Sequence, residues 1–165
     1  MNKLACALFA VASIGIASAQ KVAVINSQKA VLETAEIKKA QVDLETKFKP
    51  RQDKIVQLQK DLQTIDSQLN GGKLNAMGEQ ELRAEGTKKQ RDLQRLQQDL
   101  QDDVNLERND ILQRSGTRMQ EVVKKLAEAK GLDIVVDTTN AVFYKPAFDL
   151  TAEAVTAYNL AYPVK

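Results

Sequence analysis

The sequence has no histidine, no tryptophan and a single cysteine. Without histidine or a cysteine pair it cannot build the usual zinc sets, a Cys–His pair or a Ser–His–Asp arrangement. It also contains no G-x-G-x-x-G, P-loop or H-E-x-x-H pattern. Its carboxylates are scattered along helical stretches rather than paired, so an enzyme is not expected, nor any cofactor or metal. Aromatic residues are scarce at 4% of the chain, and none occurs between Phe48 and Phe143. Large aromatic side chains dominate burial in compact cores, so no thick core is expected in the middle of this chain. Charge of one sign is lacking as well: the formal net charge is +2. That balance does not fit a dedicated nucleic-acid binder, which would be strongly basic on one face.

Long apolar runs are confined to the N-terminus. Met1, Asn2 and Lys3 form a short positive region, an apolar run extends from Leu4 to Ile16, and Ala17, Ser18 and Ala19 follow. This is the pattern of a cleavable secretory signal over residues 1–19, with a mature chain from Gln20 and export as the consequence. The apolar run is about 13 residues, short of the roughly 20 that span a bilayer as a helix. Cleavage removes Cys6 and Lys3, leaving a cysteine-free chain of about +1 in an oxidising compartment. Small secreted domains usually need covalent staples, so oligomerisation is the expected substitute.

What the sequence does have is helical periodicity. Ile37, Leu44, Phe48, Ile55, Leu58, Leu62, Ile65 and Leu69 fall at alternating a and d positions, with Gln41 and Arg51 in the two gaps. Asn26 and Ser27 cap the helical stretch that begins "QKAVLETAEIKK". Pro50 leaves the phase intact, which predicts a bend, a hinge, between Phe48 and Arg51 rather than two helices. "NGG" at 70–72 breaks the helix, and Gly78 and Gly86 predict a loose restart. A second stripe follows through Leu93, Leu96, Leu100, Val104, Ile111, Met119, Val122 and Leu126. Two such segments joined by a short turn pack as an antiparallel αα-hairpin. An arm of about 40 residues reaches on the order of 60 Å, against a radius of gyration near ~15 Å for a compact globule of this size. The arm must project.

The β-prone residues lie at the two ends. "KVAVI" at 21–25 reads as a strand; after Gly131, "LDIVVD" reads as a buried strand, "TTN" as a turn and "AVFYK" as a second strand. Pro146 stops that strand, and Asp149 or Thr151 caps a final short helix. Few short strands make no stable sheet alone and leave open edges, which neighbouring copies would cover. The expected domains are residues 20–35 with 130–165 as a β-rich oligomerisation body and residues 36–129 as the helical hairpin, its tip near 70–86. Val22, Val24, Ile134, Val136, Val142, Phe143 and Tyr144 are the expected oligomerisation residues.

The opening "KVAVINSQKAV", the stretch "DLETKFKPRQDKIVQLQKDLQ" and above all "LDIVVDTTNAVFY…FDLT" resemble the Skp (OmpH-type) periplasmic chaperones. The most specific portion is Asp133 to Tyr144. The resemblance implies a mostly α fold with a small β part: a homotrimer whose strands form an intersubunit body from which three helical tentacles extend around a cavity. It implies an ATP-independent holdase in the periplasm that keeps unfolded outer-membrane β-barrel proteins from aggregating. Contact with a membrane surface or lipopolysaccharide follows for the markedly basic family members. Here residues 60–95 carry seven bases against six acids, a departure toward neutrality. At the tip, Leu74, Met77 and Leu82 lie off the seam, and Arg83, Lys88, Lys89 and Arg91 add positive charge; these are the candidate client contacts. The alternative is a structural coiled-coil scaffold or spacer of the cell envelope with one folded partner.

Overall fold

The computed structural model describes residues 20–164, so the expected signal segment lies outside the described residues. The chain starts with strand β1 (Val22–Ile25) and a short helix α1 (Ser27–Leu32). Two long helices follow, α2 (Ala35–Asn70) and α3 (Ala76–Lys130), then strand β2 (Ile134–Asp137) and helix α4 (Thr151–Ala161). β1 and β2 pair in parallel, Val22 opposite Ile134 and Ile25 opposite Asp137. A parallel pair needs a long crossover, and here the whole helical hairpin is that crossover. The pairing is tightened at its start, where the Lys21 N–H donates to the Asp133 carboxylate at 2.8 Å and the Asp133 N–H to the Lys21 carbonyl at 2.8 Å.

The helical stretch after Asn26 is two helices, not the single one expected. Asn26 caps α1 by accepting from the Lys29 N–H at 2.8 Å. The chain then breaks at Thr34, which is fully buried. Its hydroxyl donates to the Val31 carbonyl at 2.8 Å and accepts from the Ile37 N–H, ending one helix and capping the next. This lets α1 fold back onto the body while α2 leaves it.

α2 runs unbroken through Pro50, which is exposed. Along the seam Ile37, Phe48 and Ile65 are buried and Leu44, Ile55, Leu58, Leu62 and Leu69 half-buried, while Gln41 and Arg51 are exposed. Phe48, the lone aromatic of the arm, has Lys47 and Arg51 over its ring at 5.5 and 5.6 Å. The return seam runs from buried Leu93 to buried Met119 and Val122 and, as its extra four-residue steps predict, departs from strict heptads. Gly72 takes the left-handed conformation at φ +63° that turns the hairpin, and Asn75 caps α3 by accepting from the Gly78 N–H at 2.8 Å. Helix is thus fully restored by Ala76 and passes through Gly78 and Gly86; the loose restart does not occur. At Gly86 the helices approach closely, since a Cβ there would lie 3.3 Å from Ile65 Cγ2.

α3 spans 55 residues, roughly 80 Å at 1.5 Å per residue. It stops at Gly131, φ +61°, where the Gly131 N–H bonds the Glu128 carbonyl and the Leu132 N–H the Ala127 carbonyl, the paired bonds of a Schellman ending. Its root packs against α1 and α4 around Ile25, Ala30, Met119, Val122, Ala154 and Tyr158, the body's hydrophobic core.

The second C-terminal strand is absent. After β2 the chain makes a turn of 3-10 helix over Thr138–Asn140, with the Asp137 side chain accepting from the Thr139 N–H at 2.9 Å. Residues 141–145 are irregular, and Pro146–Phe148 form another 3-10 turn. The Asp137 carboxylate, which accepts from the Ser27 and Thr139 N–H groups, fixes the chain in that turn, and residues 141–145 pair with neither strand. The outer edge of β1 is taken by a bridge from Val24 to Asp149 and by the Leu150 N–H bonding the Val24 carbonyl at 2.9 Å. "AVFYK" has the composition of a strand and no partner. Asp149, one of the two candidate caps, accepts from the Thr151 N–H at 2.8 Å and starts α4.

Candidate functional site

The arm and its root form the candidate site. Among the described residues no helix is long and apolar enough to cross a membrane, and no group of acidic or sulfur ligands could hold a metal ion.

At the tip, Leu74 lies in the turn and Met77 in the first turn of α3, 42% and 71% exposed. Leu82 differs: it is half-buried. Arg83 is held by Glu79 one turn back, its Nε donating to Oε1 at 3.1 Å. Lys89 is half-buried and bridges the helices, 2.9 Å from Asp61 and 3.5 Å from Glu85. The hydrogen bond to Asp61 raises the Lys89 pKa and lowers that of Asp61. Lys88 and Arg91 are exposed. Of the expected basic cluster, then, Lys89 and Arg83 are engaged within the arm, and Lys88 and Arg91 face solvent.

The cross-helix ion pairs continue down the arm as Arg51 with Asp103 and Lys47 with Glu107. At the root, Arg118 donates to both Glu36 oxygens at 2.9 and 3.0 Å, and Arg114 approaches at 3.5 Å. The Tyr158 hydroxyl donates to the same carboxylate from α4. Burial pushes the Glu36 pKa upward, but the hydrogen bonds from Tyr158 and Arg118 outweigh it and hold the carboxyl below its ordinary range. Burial first and Glu36 second push the Tyr158 hydroxyl up. This node was not anticipated. The contributing residues lie in three separate helices, and the available hint was only that Tyr158 is an aromatic with a polar end, which needs a partner when buried.

Of the expected oligomerisation residues, Val142 and Phe143 stand out from the surface, 106% and 82% exposed, and Ile134 is 47% exposed. Val22, Val136 and Tyr144 are half-buried. Val24, by contrast, is 5% exposed and belongs to the chain's own core. Among the described residues no strand pairs with the outer edge of β2, which lies open beside uncovered apolar side chains.

Residues 21–158 match the family described as outer membrane protein (OmpH-like). The chain belongs to the OmpH-like family. Among its relatives, this OmpH-like chain is 28% identical over 141 residues to a Skp-like protein of Pseudomonas aeruginosa, covering 84% of each chain. It is 29% identical over 168 residues to the chaperone protein Skp of Yersinia enterocolitica, covering 94% of this chain and 98% of the relative. A crystal structure of an OmpH-like protein from Caulobacter crescentus superposes with a TM-score of 0.75, over 90% of this chain and 89% of that one, at 17% identity. The projecting hairpin on a small body is thus the fold of an OmpH-like protein.

Proposed function

We propose that this OmpH-like chain is an ATP-independent holdase of the periplasm that binds unfolded outer-membrane β-barrel proteins and keeps them from aggregating. The observation that carries it is an arm two helices thick standing out of a body that leaves Ile134, Val142 and Phe143 uncovered. Such apolar exposure at an open sheet edge invites pairing with a further chain. Three copies joined through β2 and residues 141–145 would give those residues a strand partner and direct three arms around a shared cavity. Covering a Val or Phe side chain contributes about 1.5–3 kcal/mol, so a patch repeated in each subunit favours assembly. A cavity walled by flexible arms holds clients through many weak contacts and needs no nucleotide for release. The names of the Skp relatives support the same reading. The tip, with Leu74 and Met77 exposed, supplies the first contacts; methionine adapts well to varied partners.

A dilution assay tests it. An outer-membrane barrel protein in urea is diluted into buffer with a slight molar excess of assembled protein, and light scattering is followed. Suppression matching that of a known holdase is expected. Unchanged scattering, together with one folded partner recovered from envelope extract, would instead favour an envelope scaffold.

A further inference from the structure

The two flanks of the arm differ. On one, charges are already partnered across the hairpin, by Lys47 with Glu107, Arg51 with Asp103 and Lys89 with Asp61. Successive residues of an α-helix advance by about 100°, so the residue after a seam position, or after Lys89 beside the seam, turns to the flank away from these ion pairs. In α2 those next residues include Gln52 after Arg51, Gln59 after Leu58 and Gln63 after Leu62. In α3 they include Gln90 after Lys89, Gln94 after Leu93 and Gln97 after Leu96. All six are exposed. The helices are antiparallel, so the two sets face the same side and lie at matching heights. The exposed side chain of Val56, 62% accessible, sits among them. Among the described residues, the glutamine amides with a side-chain partner are those of Gln57, Gln98 and Gln101; the six are not among them.

The grooves confirm the sidedness. An open groove of about 620 Å³ near the tip is lined by Leu62, Ile65, Leu69, Gly86 and Gln90 together with the charged Asp66, Arg83 and Arg91. A smaller one of about 180 Å³ on the other flank is lined by Lys54, Leu58, Asp92 and Asp99. The amide strip therefore runs along one flank and opens at its outer end into a groove of mixed polarity, where Leu62, Ile65 and Leu69 meet Asp66, Arg83 and Arg91. Gly86 keeps that groove close to Ile65.

We propose that this glutamine-lined flank is the surface that receives the main chain of a non-native polypeptide, the six glutamine amides bonding its exposed N–H and C=O groups. The inference rests on the holdase reading and names the chemistry by which a client is held. A primary amide carries both donors and an acceptor, the same complement as a peptide unit, and an unfolded chain presents those groups whatever its side chains. The strip from Gln52 to Gln63 is roughly 17 Å long, about five residues of extended chain. Recognition of this kind is independent of client sequence and, unlike charge pairing, barely screened by salt. The opposite flank presents Lys54, Asp92, Arg95 and Asp99 in place of amides, side chains that select by charge and not by main chain.

Three measurements on the intact oligomer with one urea-unfolded outer-membrane barrel protein decide it. Photoreactive benzoylphenylalanine in place of Gln59 or Gln94 is expected to crosslink the client far more than the same group in place of Lys54 or Asp99. Gln59→Ala, Gln63→Ala and Gln94→Ala combined keep helix propensity and are expected to weaken client binding by about fivefold or more. Lys54→Ala with Asp99→Ala should leave it unchanged. Wild-type affinity should hold within about twofold between 50 mM and 500 mM sodium chloride. Equal or reversed crosslinking, wild-type binding by the triple variant, or affinity that collapses with salt would each overturn the proposal while leaving the holdase activity standing. A wild-type protein that binds no client would remove both.

Discussion

Tyr158 in α4 donates its phenolic hydrogen to Glu36 in the first turn of α2, 122 positions earlier in the chain. Arg118 of α3 donates to the same carboxylate, and its guanidinium lies 4.7 Å from the Tyr162 ring. The Ala35 N–H adds a bond to the Asn159 side chain at 2.9 Å. The C-terminal helix is therefore fastened to the root of the arm at the point where both arm helices leave the body. Arms that enclose a client need a fixed root; without it the hairpin would swing on Thr34.

Replacing Tyr158 by Phe removes a hydrogen bond to a charged group, worth about 1.5–3 kcal/mol, and leaves Glu36 partly buried with fewer partners. The melting temperature should fall by several degrees, with faster amide hydrogen exchange in α4 and the first turns of α2. Unchanged exchange there would show that the bond does not hold the root.

The same carboxylate predicts an acid limb of stability. The folded pKa of Glu36 lies below its ordinary value, with the Tyr158 and Arg118 hydrogen bonds overcoming burial. The sign follows: the contribution is fully present above the unfolded value of about 4.3 and is lost as pH falls toward the folded one. Asp137 and Asp149 are depressed in the same direction, by hydrogen bonds from Ser27 and Thr139 and from Thr151 respectively. Glu36→Gln should therefore flatten only part of the limb. Urea midpoints at about pH 7 and about pH 3 measure this, the gap between wild type and variant narrowing at the lower pH.

How much of this was legible in advance follows from the range of each interaction. The seam residues from Ile37 to Leu69, the stop at Gly131 and the turn at Gly72 are local: a heptad spacing or a left-handed glycine is written within a few residues. The break at Thr34 escaped because a buried threonine ending one helix and capping the next has the same composition as a helix interior. "AVFYK" has the β-branched and aromatic content of a strand, but pairing depends on where the turn held by the Asp137 carboxylate directs the chain, and composition does not record that. The Glu36–Tyr158 contact depends on how α2, α3 and α4 pack, which no local pattern records. At the tip, the sequence showed which residues lie off the seam but not that Lys89 is engaged with Asp61.

Gly86 offers a test of the close approach in the arm. Ala gains about 0.8–1 kcal/mol of helix propensity over Gly, while its Cβ would press on Ile65 Cγ2 at 3.3 Å. Gly86→Ala should be near neutral. Gly86→Val adds branches that Ile65 cannot yield to and should destabilise by about 1–3 kcal/mol. Circular dichroism melts of the pair measure the difference; equal melting temperatures would mean the helices are not in contact there.

Pro50 sits in the interior of α2, where proline is roughly 3 kcal/mol less favourable than alanine. Pro50→Ala should raise the melting temperature and, if the position is a hinge, narrow the distribution of tip-to-root distances between spin labels at Ser67 and Lys38. An unchanged distribution would show that Pro50 does not bend the arm.

Val136 pairs with Val24 at the centre of the sheet, and the free edge of its strand faces outward. Val136→Asp places a charge where a neighbouring subunit is proposed to dock, at a cost of several kcal/mol, and should yield monomers by size exclusion. Phe143→Ser removes apolar area from the uncovered side chain and should weaken assembly while leaving the monomer fold intact. A Val136→Asp variant that stays assembled with an unchanged melting temperature would place the interface elsewhere.

The most direct test of the account is native mass spectrometry of the mature protein alone and after mixing with a urea-diluted outer-membrane barrel protein. The account predicts a trimer at micromolar concentration and, in the mixture, a trimer carrying a single client chain. A monomer in both spectra, or a trimer that gains no client mass while the client precipitates, would contradict it.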